Sequence, residues 1–299
     1  MERVERLYEI MYLIRKTEEK IEELFSEGIL RGTTHGYIGE EAIATGVLEN
    51  IDLERDIVTG THRSHGHYLA LTGDPFPLIS ELMGLRTGVN SGKGGSQHLS
   101  HKNFITNGIT GGMTPIAVGM AFAEKLNKSN AITIAFLGDG AMNEGYVMEA
   151  LNLSAVYEVP ILFVLENNGY AMSTRADKSS RGTFSERVKS FGLGYSFVDS
   201  SDVLKIADIA NLLVADSRSC KPNFLEVRTH RFCGHSKNDK REYISSHEDE
   251  EWKKKDPISN LEVAYPQYDY SAIRLIVEKK IEDACDKARR VISEGESYG

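Results

Sequence analysis

Ile132-Thr133-Ile134-Ala135-Phe136-Leu137-Gly138-Asp139-Gly140 and, further on, Ile161-Leu162-Phe163-Val164-Leu165-Glu166-Asn167-Asn168 decide how this chain folds. Each opens on a short apolar run that reads as a buried strand rather than a helix, β-branched at its start in the first case. Between them, Ala141 to Tyr157 carries Val147, Met148, Leu151 and Ala155 at near-helical spacing. The segment therefore predicts strand, helix and parallel strand joined by a right-handed crossover. Both strands then end on the same edge of the sheet, which is where ligands bind in open α/β folds and where Asp139 would meet Asn168. The expected fold class is α/β.

That edge suits a magnesium diphosphate. Magnesium takes near-octahedral oxygen ligands and shares its sphere with waters and phosphates. Asp139, the amide oxygen of Asn168 and the carbonyl of Tyr170 can supply them. Gly140 and Ala141 are expected to open the following helix, whose unpaired N–H groups and dipole favour phosphate. The competing reading is a bland strand-to-helix turn with an Asp cap, since turn chemistry selects the same residues. The paired asparagines behind a second hydrophobic strand weigh against it.

Gly138-Asp139-Gly140-Ala141-Met142-Asn143-Glu144-Gly145, Glu149-Ala150-Leu151-Asn152-Leu153 and Glu166-Asn167-Asn168-Gly169-Tyr170-Ala171 resemble the alpha subunit of two-chain, thiamine diphosphate-dependent 2-oxo acid dehydrogenases. The resemblance is nearest to the pyruvate and acetoin branch and runs from about Ile10 to Pro257. It implies a single thiamine diphosphate-binding domain with a mostly parallel central sheet flanked by helices. We expect residues 1–299 to form that domain, with an N-terminal helical extension over about 1–30 and a C-terminal helix over about 271–294.

Further blocks carry the resemblance. In Thr61-His62-Arg63-Ser64-His65-Gly66-His67, it implies that Arg63 contacts the cofactor diphosphate, a role that suits a fixed, always charged guanidinium. Where many relatives carry tyrosine this chain has His62, as acetoin-type chains tend to. A zinc reading of His62, His65 and His67 is disfavoured by the lack of a nearby cysteine or Glu-x-x-His pattern. Gly92 to His98 and Asn107 to Gly112 are glycine-rich; Lys93 lacks the Walker spacing, and the resemblance puts the backbones of Gly108 and Thr110 against the aminopyrimidine. His35, in Thr34-His35-Gly36-Tyr37-Ile38-Gly39-Glu40-Glu41-Ala42, matches a substrate-facing histidine, while Glu40 and Glu41 are expected only to start a helix.

The last block, Arg228-Thr229-His230-Arg231-Phe232-Cys233-Gly234-His235-Ser236, follows a predicted strand at Phe224 to Val227. His235 matches a histidine that approaches the diphosphate. Cys233 stands where a first histidine is usual, and the stretch from Lys237 to Tyr243 is shorter than in mitochondrial relatives. Ser236 corresponds to a phosphorylated position in some relatives, but nothing in the chain identifies a kinase partner.

With 299 residues, a net charge of −9 and a pI of about 5.6, the chain can bury a large core and has no basic footprint for nucleic acid. No apolar run is long enough to span a membrane. The acidic, amphipathic start of the chain, with Leu7, Ile10, Ile14, Ile21 and Leu24 in one stripe, is unlike a transit or secretory segment, and a cytoplasmic location is expected. Cys220, Cys233 and Cys285 are too dispersed for a disulfide framework. Ile273, Ile276, Val277, Ile281, Ala284, Ala288 and Val291 predict a C-terminal helix packed on the domain or on a partner.

The resemblance further implies Mg2+, a beta subunit supplying the glutamate that activates the cofactor, two alpha and two beta chains per assembly, and acyl transfer to a lipoyl-bearing acyltransferase. The substrate would be a 2-oxo acid or acetoin. His35 and His235 would position it and carry protons. Two other readings stay open: a thiamine diphosphate-dependent carboligase of a specialised pathway, and a non-catalytic interaction subunit, which the intact Asp139, Asn168, Arg63 and His235 argue against.

Overall fold

A computed structural model describes residues 1–30 and 32–293 of the chain. In chain order the helices are α1 (Arg3–Ser26), α2 (Glu41–Leu48), α3 (His65–Thr72), α4 (Pro75–Leu82), α5 (Met113–Asn127), α6 (Gly145–Val156), α7 (Ala176–Ser179), α8 (Phe184–Ser190), α9 (Val203–Arg218), α10 (Ser246–Lys253), α11 (Pro257–Ala264) and α12 (Tyr270–Ser293). The strands are β1 (Ile57–Thr59), β2 (Ser100–His101), β3 (Phe104–Ile105), β4 (Thr133–Gly138), β5 (Ile161–Asn167), β6 (Tyr170–Ala171), β7 (Thr174–Arg175), β8 (Gly194–Val198) and β9 (Asn223–Arg228).

Among the described residues a seven-stranded sheet runs in the order β2-β3-β1-β4-β5-β9-β8, and β6 and β7 form a separate hairpin. Every pairing in the large sheet is parallel except β2 with β3. Parallel strands need both faces covered, and the side chains of β4 and β5 show how. Ile134, Phe136, Leu162 and Val164 point into a core shared with α1, α2, α3, α4, α9 and α12. Ala135, Leu137, Phe163 and Leu165 point the other way, into a core shared with α5, α6 and α8. The strand period of two thus divides one apolar run between two layers.

The stripe on α1 packs as its spacing requires: Leu7, Ile14, Ile21 and Leu24 are buried, and Ile10 lies at the edge of the same core. In α12, Ile273, Val277, Ile281, Ala284 and Ala288 face inward, but Ile276 is 60% exposed. At 3.6 residues per turn, Ile276 falls outside the arc those five share. The expected end of that helix at 294 lies outside the described residues. No described helix is long and apolar enough to cross a membrane.

One boundary needs correction. The helix expected to open at Gly140 and Ala141 begins at Gly145, and Asp139–Asn143 form a 3-10 turn instead. The Asp139 carboxylate accepts the N–H of Gly140 at 2.8 Å, which favours the tighter turn directly after β4.

Candidate active site

Gly138 and Glu166 are register partners in the parallel pair β4 and β5, so the residues that follow them leave the sheet at the same carboxyl edge. A cleft of about 400 Å3 opens there. His35, His62, Arg63, Gly108, Thr110, Asp139, Gly140, Ala141, Asn168, Tyr170 and His235 all line it. The sheet topology brings these residues, scattered over most of the chain, to one place.

On the acidic side, Asp139 is 4% exposed. Its second oxygen, Oδ2, is buried with no hydrogen-bond partner among the described residues. Burial pushes its carboxyl up to about 6, against the pull of the backbone N–H groups of Gly140 and Gly169. A buried carboxylate oxygen left unpaired is costly, and a cation would relieve it. Asn168 accepts the Tyr170 N–H through Oδ1 at 3.1 Å and donates from Nδ2 to Glu40 at 3.0 Å. The donor set, one carboxylate and one amide oxygen with backbone carbonyls close by, is hard oxygen chemistry suited to magnesium. The residues present fit such a group.

Across the cleft, His35, His62 and His235 form a cluster with ring centroids 4.8 to 5.6 Å apart. Burial, followed by the positive charge of Arg63, lowers His35 to about 3, His62 to about 2 and His235 to about 4. All three rings are therefore neutral near pH 7, able to donate one hydrogen bond and accept another. Their ligand atoms lie within 4.8 Å of one another. A transition metal is disfavoured there all the same, because Arg63 and Arg231 both border the cluster and point N–H groups at Nδ1 of His235, at 3.5 and 3.4 Å.

The three histidines of the 62–67 block separate. His65 and His67 are fully buried: His65 bonds Glu18 at 3.1 Å and Ser96 at 2.9 Å, and His67 bonds Glu166 at 2.9 Å and Ser64 at 3.0 Å. They are core residues, and only His62 of this block turns to the cleft. Cys233 is also structural: its thiol bonds the Gly36 carbonyl at 3.3 Å, and burial pushes it up to about 12, far from a reactive thiolate.

Two cleft residues escaped the sequence reading. Arg231 is 3% exposed, makes no ion pair among the described residues, and joins Arg63 as a second guanidinium at the site. It donates to the carbonyls of Cys233 and Met172 and to the Tyr243 hydroxyl, which fixes the loop carrying His235. Its signal was its place between two histidine-bearing positions of a matching block. Glu40, expected only to start a helix, does precede α2 but is buried in the cleft wall beside Asn168. The signal was a helix apolar on all sides, Ala42-Ile43-Ala44, which buries its first turn as well.

The model for the dehydrogenase E1 component family matches residues 9–293. The chain belongs to the dehydrogenase E1 component family. A pyruvate dehydrogenase E1 component subunit alpha from Zymomonas mobilis is 37% identical over 294 residues, covering 95% of this chain and 83% of the relative. The alpha subunit of acetoin:2,6-dichlorophenolindophenol oxidoreductase from Bacillus subtilis is 35% identical, over 94% of this chain and 86% of the relative. A pyruvate dehydrogenase E1 alpha subunit from Rickettsia conorii is 34% identical, over 96% and 92%. E1 membership implies thiamine diphosphate as cofactor, and the paired guanidiniums of this E1 chain, Arg63 and Arg231, suit its diphosphate.

Proposed function

We propose that this chain is the alpha subunit of a thiamine diphosphate- and Mg2+-dependent dehydrogenase acting on a 2-oxo acid such as pyruvate, or on acetoin, and passing the acyl unit to a lipoyl-bearing acyltransferase. The observation that carries it is the unpaired, buried Oδ2 of Asp139 in a cleft that also presents Arg63 and Arg231. A cation and a polyanion together answer both demands. When bound, thiamine diphosphate supplies the nucleophilic carbon and the electron sink for breaking the bond beside the substrate carbonyl.

The chain's own residues do the rest. Asp139, the Asn168 amide oxygen and the Tyr170 carbonyl would hold Mg2+. Arg63 and Arg231 would hold the diphosphate with His62 and His235 beside it, and the small Gly140 and Ala141 let it approach the backbone. The backbones of Gly108 and Thr110 would bracket the pyrimidine. His35 and His235, held neutral, would orient substrate and carry protons.

A second chain completes the site in this reading. Ile109 is exposed between the cleft residues Gly108 and Thr110, and Ile116, in the first turn of the α5 helix that follows, is exposed as well. Large apolar side chains grouped beside a cofactor cleft support docking of a beta subunit there, which would supply the activating glutamate in an assembly of two alpha and two beta chains. The relatives' names, subunit alpha, agree with this.

Co-expression with a beta-type chain, then assays of pyruvate, acetoin and branched-chain oxo acids with an artificial electron acceptor, tests the reading. Cofactor affinity is to be measured by calorimetry for wild type and Asp139→Ala. Magnesium-dependent binding by wild type and its loss in the variant is the expected result; equal affinities would sink the assignment, and full-rate activity of this chain alone would sink the shared site.

A further inference from the structure

Glu40 is buried, 1% exposed, at the N-terminal end of α2, yet its side chain makes no capping hydrogen bond. Helix-start chemistry therefore does not account for a carboxylate in this place. Burying one costs several kcal/mol unless partners offset it. Here Oε1 accepts Nδ2–H of Asn168 at 3.0 Å, while Oε2 is buried without a hydrogen-bond partner among the described residues and lies 3.8 Å from Nε of Arg63. Glu166, another acid of the wall, is already held by the Tyr37 hydroxyl and His67.

The amide of Asn168 is fixed from both ends. The Tyr170 N–H can only donate, so it must meet Oδ1, which leaves Nδ2 for Glu40. Reversing the amide would set N–H against N–H and oxygen against carboxylate. Glu40 thus keeps the oxygen of Asn168 turned away from itself, in the orientation in which it can serve as a hard-cation ligand.

We propose that Glu40 is a positioning residue that couples the cation and diphosphate halves of the site. The inference rests on the cofactor reading above. One carboxylate oxygen orients Asn168 for the metal; the other offers Arg63, the diphosphate-side guanidinium, a partner just beyond hydrogen-bond reach. Small rotation of either side chain closes that gap. Cation and anion then act on one shared carboxylate, so that each strengthens the other's hold.

The test is calorimetric, on the co-expressed complex, with MgCl2 and thiamine diphosphate as the probes. Mg2+ affinity is measured with and without the cofactor for wild type, Glu40→Gln and Glu40→Ala. Glu40→Ala should weaken Mg2+ binding in the presence of cofactor by about tenfold or more, the scale of a lost charge-assisted hydrogen bond. Glu40→Gln keeps an acceptor for Asn168 but removes the charge. It should retain most of the Mg2+ affinity yet lose several-fold of the enhancement that cofactor gives. If Glu40→Ala does not fold, the Glu40→Gln measurement alone decides. An unchanged enhancement in Glu40→Gln overturns the inference. Wild type and Asp139→Ala serve as controls: a wild-type complex that binds neither probe defeats the cofactor reading itself, whereas intact wild-type binding with a silent Glu40→Gln defeats only the role of Glu40.

Discussion

Nη1 of Arg231 lies 3.4 Å from Nδ1 of His235, and Nη2 of Arg63 approaches the same nitrogen at 3.5 Å. A guanidinium only donates, so Nδ1 must carry the lone pair and Nε2 the proton. His235 therefore meets the cleft as an N–H donor, poised to support negative charge on a substrate oxygen and to pass it a proton. Nitrogen-15 correlation spectra near neutral pH should show pyridine-type Nδ1 and pyrrole-type Nε2 for this ring. Arg231→Met should mix the tautomers and lower kcat by about tenfold to a hundredfold with a smaller change in KM. A ring that is Nδ1-protonated in wild type would refute the assignment.

His62 gives a prediction for pH. Burial, then Arg63, lowers its folded value to about 2, while the unfolded ring titrates near 6.5. Below 6.5 the unfolded chain binds the extra proton and the folded chain does not, so stability falls as pH falls, by up to about 1.4 kcal/mol per unit. His62→Phe removes that linkage. Denaturant midpoints of wild type and variant, followed downward from pH 6.5, should therefore converge or cross in favour of the variant. Parallel curves would show that the ring is not held neutral by the fold.

The parts of the site that the sequence made legible are those written in local pattern. β4 and β5 are short apolar runs that end on Gly138-Asp139 and Asn167-Asn168, and period and polarity together place the two ends on one edge. Arg231 and Glu40 were not legible in that way, because their roles depend on contacts between distant segments: Arg231 with Met172 and Tyr243, Glu40 with Asn168. The start of α6 was misplaced for a related reason, since a carboxylate bonding its neighbour's N–H is a three-dimensional detail that Gly-Asp-Gly does not spell out. His62, His65 and His67 look equivalent as text, and only packing turns one to the cleft and two into the core.

Arg15 ties α1 to the wall of the site. Its Nε lies 2.6 Å from the fully buried carboxylate of Glu41, and its Nη2 lies 2.7 Å from Asp256, which caps α11. Burial pushes the Glu41 carboxyl up, and Arg15 is the main force holding it down. Arg15→Ala leaves Glu41 buried without its countercharge, held by the Gly39 N–H, a change expected to cost about 3–5 kcal/mol in unfolding free energy. Glu41→Gln in the same chain should recover a large part of that loss, because it removes the stranded charge. Urea titration of the two single variants and the double variant measures the coupling, and strict additivity would show that the pair carries no mutual energy.

Gly39 is the point at which the two halves of the cleft wall are fastened. Its φ is +101°, a region that side-chain-bearing residues avoid, and a Cβ placed there would sit 2.2 Å from the His230 carbonyl. Around it, the Phe232 N–H donates to the Ile38 carbonyl at 2.9 Å and the Thr229 hydroxyl to the Gly39 carbonyl at 3.3 Å. The segment carrying His35 and Glu40 is thus laid directly on the segment carrying Arg231 and His235. Gly39→Ala would incur backbone strain of about 1–3 kcal/mol and would also push these segments apart. The midpoint of thermal unfolding should drop, and thiamine diphosphate affinity should fall by more than the stability change alone would cause, since residues from both segments line the cleft. A variant that is destabilised but binds cofactor as tightly as wild type would show that the fastening at Gly39 supports the fold and not the geometry of the site.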